Sequence, residues 1–137
     1  MDVGRQEPEI VTLTLPCEER FIVVARIVVG GLAARLDLPY EHLDDLQLAA
    51  EAVLAEPLCA AADDITVELA VAERCITMSI GPVSPDVIQS ALNGEHDEGI
   101  GLGILLNAVV DGIGFDQRAD GAWLRMDKRV PALQRNE

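Results

Sequence analysis

Positive charge and long apolar stretches are both scarce in this chain of 137 residues. Ten basic residues stand against twenty-four acidic ones, and the resulting net charge of −14 argues against direct binding of a nucleic acid. Arg20, Arg26 and Arg35 interrupt the best apolar candidate before it reaches the ~18 residues that a membrane span needs. We therefore expect neither a nucleic acid nor a membrane as a direct partner.

Signals for export, disulfide formation and metal binding are also missing. Residues 1–5 lack the basic and then apolar order of a secretory signal peptide. Cys17, Cys59 and Cys75 form an odd set without the spacing of metal ligands. The sequence therefore predicts free thiols, no metal site and a cytoplasmic protein.

The chain contains no internal repeat, low-complexity tract or flexible linker. Its length suits one domain, and half of its residues are hydrophobic, which suffices for a core without crosslinks. We expect a single domain over residues 9–131, with tails at residues 1–8 and 132–137.

Acidic residues are abundant and concentrate in the middle of the chain. Residues 36–117 contain sixteen acids and a single base, Arg74. Such a surface would attract a basic protein partner. The alternative explanation is that the acids only keep the protein soluble. Glu41, Asp44 and Asp45, at the start of the second predicted helix, are the candidate contacts for such a partner.

Apolar spacing predicts the element order β-α-α-β-β-α-β-β. Because few strands are separated by single helices, we expect an α+β fold: a two-layer sandwich in which helices cover one face of a mostly antiparallel sheet. The predicted strands cover residues 10–15, 65–71, 75–80, 114–118 and 122–129, the main helices 18–38, 43–58 and 102–111, a short helix 86–92, and a loop 81–85.

Two groups of glycines are unusual in this pattern. Gly30 and Gly31 fall inside the first helix, where each costs about 1 kcal/mol unless another group packs closely against it. Gly99, Gly101 and Gly103 precede the last main helix. Glycines there let a helix N-terminus approach a phosphate, and they equally permit a tight turn and close packing.

Three features in this order resemble the anti-sigma regulatory factors, which are RsbW-like serine kinases with a histidine-kinase-like ATPase fold. The features are the acidic helix 44–55, the glycine group with the helix after it, and the hairpin 120–129, within a resemblance that covers residues 12–130. The resemblance implies that ATPase fold, and ATP with Mg²⁺ as ligands. It also implies three protein partners: a sigma factor, a STAS-domain anti-anti-sigma protein and a second copy in a homodimer.

The nucleotide motifs of that family are incomplete here. The family's helix carries Glu-x-x-x-Asn, in which the Glu is the catalytic base and the Asn holds Mg²⁺. Glu51 matches the base, but Ala55 stands at the asparagine position, and a methyl group cannot coordinate magnesium. Pro57 interrupts the helix soon afterwards. Residues 79–85 contain no counterpart of the adenine-reading Asp.

The glycine group matches the family, yet its surroundings are acidic. Glu95, Asp97 and Glu98 lie just before it and would repel a triphosphate, which needs Mg²⁺, Lys or Arg nearby. We therefore expect a degenerate ATPase fold with no cofactor.

The resemblance leaves three functions open. The first is a regulatory binding protein that sequesters a sigma factor. The alternative is an ATP-dependent protein serine kinase that phosphorylates the STAS-domain antagonist, with Glu51 as base and Gly99, Gly101 and Gly103 on the phosphates. That kinase needs a substitute magnesium ligand, such as Glu56 or Asp97. The third is a pseudo-ATPase that binds another small ligand.

Three further side chains have ordinary structural explanations. His42 and His96 lie in polar stretches and are expected to be solvated. Trp123 lies on an alternating strand and is expected to pack against a helix, although an exposed indole would suit an interface.

Overall fold

The computed structural model describes residues 9–36, 38–56, 64–93 and 101–131. These ranges contain five strands and four helices, with a 3₁₀ turn at Glu19–Phe21 before the first helix. The strands are β1 (Glu9–Pro16), β2 (Asp64–Val71), β3 (Cys75–Val83), β4 (Gly112–Arg118) and β5 (Gly121–Arg129), and the helices are α1 (Ile22–Arg35), α2 (Tyr40–Leu54), α3 (Pro85–Leu92) and α4 (Leu102–Val109).

The five strands form one antiparallel sheet in the order β1-β2-β3-β5-β4. Alternate residues of β2, such as Val67 and Leu69, are buried in one apolar core with residues from all four helices. α2 packs against α1 and α4, and α4 also contacts α3. The expected α+β sandwich is therefore confirmed. The proposed tails, residues 1–8 and 132–137, lie outside the described residues.

Several predicted element ends are wrong, and prolines explain most of the differences. α1 ends at Arg35, because the residues before Pro39 turn toward the start of α2. α2 ends at Leu54, four residues before the apolar pattern ends, in agreement with the expected interruption of the helix by Pro57. β3 continues through the predicted loop to Val83, with a register shift after Ile80 and a cis peptide bond between Gly81 and Pro82.

The environment of Trp123 also differs from the prediction. Its indole lies on the opposite side of β5 from the core residues Leu124 and Met126, since successive side chains of a strand alternate. A Cβ on Gly81 would lie only 2.5 Å from the ring, and the Arg118 guanidinium stacks on the ring at 4.0 Å from its centroid. Trp123 is therefore buried by the sheet and the terminal hairpin.

Arg118 is held over the indole by a second interaction. Its guanidinium donates two hydrogen bonds to the Glu68 carboxylate, at 3.0 and 3.2 Å. These bonds raise the pKa of Arg118 above its ordinary value. The arginine thus joins β4 to β2 across the sheet.

The cysteines do not all behave as predicted. Cys17 is disulfide-bonded, so the expectation of free thiols is wrong for this residue. Cys75 on β3 is a free thiol, as expected.

Within the described part of the chain, every helix is too short or too polar to cross a membrane.

Candidate functional site

Glu51, the predicted catalytic base, lies in the last turn of α2. Its carboxylate forms an ion pair with Arg26 of α1, with 3.0 Å between Oε1 and Nε, and the Glu51 side chain is 35% exposed. Helical spacing places Ala55 one turn later, where it is exposed and caps the end of α2. The two positions that carry the catalytic base and the magnesium ligand in the family are therefore occupied here by the carboxylate of Glu51, which is paired with Arg26, and by the methyl group of Ala55.

The N-terminus of α4 is the candidate remnant of a nucleotide loop. Gly101 is the N-cap of this helix and is buried, and Gly103 lies in its first turn. A Cβ on Gly103 would collide with the backbone carbonyl oxygen of Leu92 at the end of α3. Close packing of α3 against α4 therefore accounts for Gly103. Gly99 lies outside the described residues.

The end of β3 lacks the acidic side chain that would read adenine. Met78 and Ile80 face the core and are fully buried, and Ser79, between them, points to the other side of the sheet. Asp86 follows as an exposed residue in the first turn of α3. The described residues from Met78 to Val83 therefore carry no carboxylate.

A cavity of about 430 Å³ opens beside the end of α2, but it does not unite the predicted site residues. Its apolar lining comes from Leu15, Phe21, Ile22, Leu54 and Ile65. Ala55 and Glu56 also line it, whereas Glu51, Gly101 and Gly103 do not. Among the described residues, no group of three or more His, Cys, Asp or Glu side chains is arranged to hold a metal ion.

The three acids predicted to contact a partner have different environments. Glu41 and Asp44 are exposed on the first half of α2. Asp45 instead accepts a 2.8 Å hydrogen bond from Lys128 Nζ of β5. Lys128 is only 8% exposed and also donates to the carbonyl oxygen of Val109, at 2.8 Å. Asp45 therefore joins α2 to β5 and α4, while Glu41 and Asp44 remain available on the surface.

Two exposed apolar side chains accompany these acids. Tyr40 is 79% exposed and Leu48 is 39% exposed. Since Tyr40, Asp44 and Leu48 are four residues apart, they lie along one side of α2 beside Glu41. We name Tyr40, Glu41, Asp44 and Leu48 the α2 surface. Tyr40 and Leu48 are not among the contacts predicted from the sequence, although they share a spacing of four residues with Asp44.

Exposed apolar residues concentrate on the first two helices. Seven large apolar side chains are exposed among the described residues, and four of them belong to α1 or α2. Val23 and Ile27 are the two on α1. More than half of the exposed large apolar side chains among the described residues therefore lie on this helix pair.

His42 in the first turn of α2 is half-buried. Its Nδ1 atom is buried and has no hydrogen-bond partner among the described residues, so the expected solvation does not extend to this atom. His96 lies outside the described residues.

Comparisons with known proteins agree in part with this picture. No family model matches the chain. A curated relative, the serine-protein kinase RsbW of Halalkalibacterium halodurans, is 35% identical over 43 residues. The match covers 31% of this chain and 26% of that protein, about a quarter of its length. Over this segment the chain is therefore similar to an RsbW serine kinase, in agreement with the resemblance of its motifs.

Proposed function

We propose that this chain is a regulatory binding protein that sequesters a sigma factor in the cytoplasm and releases it when a STAS-domain anti-anti-sigma protein competes. The observation that carries the proposal is the α2 surface, in which Tyr40 and Leu48 are exposed beside Glu41 and Asp44. Apolar side chains give an interface its buried centre, and acids steer a basic partner toward it. The partial similarity to RsbW supports the choice of partner.

The residues at the nucleotide positions support binding over catalysis. Arg26 neutralises the carboxylate of Glu51, and Ala55 offers no oxygen to a magnesium ion. A Cβ on Gly103 would collide with the Leu92 carbonyl oxygen, so close helix packing explains this glycine without a phosphate. In this proposal the protein works without ATP and Mg²⁺.

A protein serine kinase is the second candidate function. The name of the RsbW relative and the presence of Glu51 favour it. Phosphorylation of a STAS-domain antagonist would then require Glu51 to leave Arg26. It would also require Glu56, which lines the cavity, or Asp97, outside the described residues, to replace the missing asparagine.

The test begins with the tagged chain expressed in its own cells, followed by identification of the proteins that co-purify with it. We expect a sigma factor, with association that slows as salt rises and dissociation that changes little. The reason is that the Debye length falls from about 10 Å at 0.1 M salt to about 3 Å at 1 M. Surface-bound kinetics across a salt series measures both rates.

Matched charge reversals locate the steering surface. Glu41→Lys and Asp44→Lys should each lower the association rate several-fold, whereas Glu73→Lys makes the same charge change in the exposed turn between β2 and β3 and should do much less. Leu48→Ala should act mainly on the dissociation rate. A salt-independent association rate, or equal effects of Asp44→Lys and Glu73→Lys, would contradict the proposal.

A further inference from the structure

The cavity beside the end of α2 lies apart from the α2 surface, which contributes no residue to its lining. Ala55 and Glu56 line it. Glu51, Gly101 and Gly103 do not, so the cavity is also separate from the base and the glycines of the nucleotide motifs. Its volume of about 430 Å³ falls within the ~300–1,000 Å³ of small-molecule sites in proteins, so it is large enough for a ligand of its own.

The inner lining of the cavity is apolar and belongs to several elements. Leu15 of β1 and Ile65 of β2 are cross-strand neighbours, and both are buried. Phe21, Ile22 and Leu54 also line the cavity and are half-buried. These side chains pack against the protein on one side and meet open space on the other. An apolar ligand in that space would remove their surface from water and add van der Waals contacts.

The charged side chains of the lining are all acidic. Glu18 and Glu19 are exposed and Glu56 is half-buried, and the described lining residues include no base. The carboxyl end of α2 adds partial negative charge, because the last carbonyl groups of a helix form the negative end of its dipole. No basic residue lies in the last turn of α2 to offset that charge. The cavity should therefore attract a cation and repel a phosphate or a carboxylate.

Two of the lining residues already hold a cation that belongs to this chain. Arg20 Nε lies 3.1 Å from Glu18 Oε1, and the Arg20 guanidinium carbon lies 5.0 Å from the centroid of the Phe21 ring. A carboxylate beside an aromatic ring stabilises a positive charge through an ion pair and a cation–π contact. Arg20 is exposed and lies outside the lining. The neighbouring Glu19 has no ion-pair partner among the described residues, so it can receive a second cation.

We propose that this cavity binds a small organic cation, namely an amine with an apolar body. The hydrocarbon part lies against Leu15, Leu54 and Ile65, and the ammonium group lies at the acidic opening. Small-molecule sites are concave and mostly apolar, with a few polar groups that fix the orientation of the ligand, and this cavity has both features. The proposal does not depend on the proposed function, because the α2 surface takes no part in it.

Titration of the full chain with phenylbutylamine at neutral pH, followed by NMR of the isotope-labelled protein, tests the proposal. Phenylbutanol lacks the charge of this probe, phenylbutyrate reverses it, and putrescine lacks the aromatic ring. Because Cys17 is disulfide-bonded, the titrations are carried out without a reducing agent.

We expect a dissociation constant on the order of 0.1–1 mM for phenylbutylamine, as is usual for a ligand of this size. The other three compounds should each bind about fivefold more weakly or worse, because each lacks one of the two matched parts. An amine that binds no more tightly than the alcohol, or a carboxylate that binds more tightly than the amine, would overturn the proposal.

A substitution that fills the cavity tests the location of the site. Leu54→Trp places a larger side chain in the space and should weaken amine binding about tenfold or more. Ile104→Trp is the matched control, because Ile104 is exposed on α4 and lies outside the lining. Circular dichroism verifies the fold of both variants. Equal affinities of the two variants for the amine would place the ligand elsewhere and refute the proposed site.

Charge variants at exposed residues test the opening without disturbing the core. Glu19→Lys should weaken amine binding about threefold or more, whereas Glu73→Lys makes the same charge change in the turn between β2 and β3 and should do much less. Arg20→Gln removes the competing cation and should strengthen amine binding about twofold. Equal effects of Glu19→Lys and Glu73→Lys would show that only the net charge of the chain attracts the amine, which would also overturn the proposal.

Discussion

At the scale of single residues, the role of an acidic side chain in this protein depends on what lies across from it. Asp44 and Asp45 are adjacent in the sequence, yet Asp44 faces solvent and Asp45 binds a buried lysine 83 residues away. Removing one member of a buried pair leaves the other charge without compensation, whereas an exposed acid contributes little to stability. The two residues therefore provide a direct comparison.

We predict that Asp45→Asn lowers the free energy of unfolding by about 2 kcal/mol, a value reduced from the range for fully buried pairs because the Asp45 side chain is 32% exposed. Lys128 would keep a hydrogen bond to Val109 but lose its counter-charge. Urea denaturation measures the change, with Asp44→Asn as the control expected within about 0.5 kcal/mol of the unmodified chain. Equal stabilities of the two variants would contradict a structural role for Asp45.

Because Asp45 is paired within the fold, its charge reversal is unsuitable as a test of the proposed partner surface. A charge reversal at Asp45 would place two positive charges side by side within the fold. Its effect on partner binding would then combine lost steering with lost stability. Glu41 and Asp44 are the acids whose reversal reports on the partner alone.

At the scale of elements, α2 divides into two halves with different properties. The first half presents the α2 surface to solvent. The second half carries Glu51, joined to α1 by Arg26, and ends at Leu54, with Ala55 as its C-cap. In the proposed function, the protein partner contacts the first half of the helix.

We predict that Mg-ATP binds with a dissociation constant no better than about 1 mM, equivalent to roughly −4 kcal/mol. Ala55→Asn alone should not improve this value, because the end of β3 stays apolar and Arg26 still holds Glu51. Calorimetric titration with and without Mg²⁺ measures it. Micromolar binding that requires Mg²⁺ would favour the kinase.

At the scale of the whole molecule, charge repulsion opposes the single apolar core. Fourteen excess negative charges lie on a chain of 137 residues, and the described ion pairs neutralise only part of the acidic total. Long-range repulsion between like charges is screened by salt, whereas the apolar core is not weakened by it. Stability should therefore depend on ionic strength.

We predict that raising NaCl from about 0.01 to 0.15 M stabilises the protein by about 1 kcal/mol, which raises the melting temperature by about 4 °C. Thermal denaturation followed by circular dichroism at neutral pH gives the value. The same salt change near the isoelectric pH of about 4.3 is the control and should have a smaller effect. A melting temperature that falls with salt at neutral pH would show that ion pairs outweigh the repulsion.

The amino-acid sequence was enough to predict the α+β class, the start of α4 beside Gly101 and the order of the strands and main helices, to which the structure adds the short helix α3. These features depend on local patterns: alternation along a strand, apolar residues every three or four positions along a helix, and glycine or proline at the ends. The same patterns also placed Glu51, Glu41 and Asp44 on α2. Local patterns do not show which of these acids lack an ion-pair partner, since the partner of an acid can lie far away in the sequence.

Contacts between residues of different elements became visible only in the folded structure. They pair Lys128 of β5 with Asp45 of α2, Trp123 of β5 with Gly81 of β3, and Gly103 of α4 with Leu92 of α3. These contacts join residues on different elements, so they depend on strand order and helix packing, which no local period encodes. The exposure of Val23 and Ile27 has the same origin, because α1 turns Ala25, Val29 and Ala33 toward the rest of the protein and leaves Val23 and Ile27 in solvent.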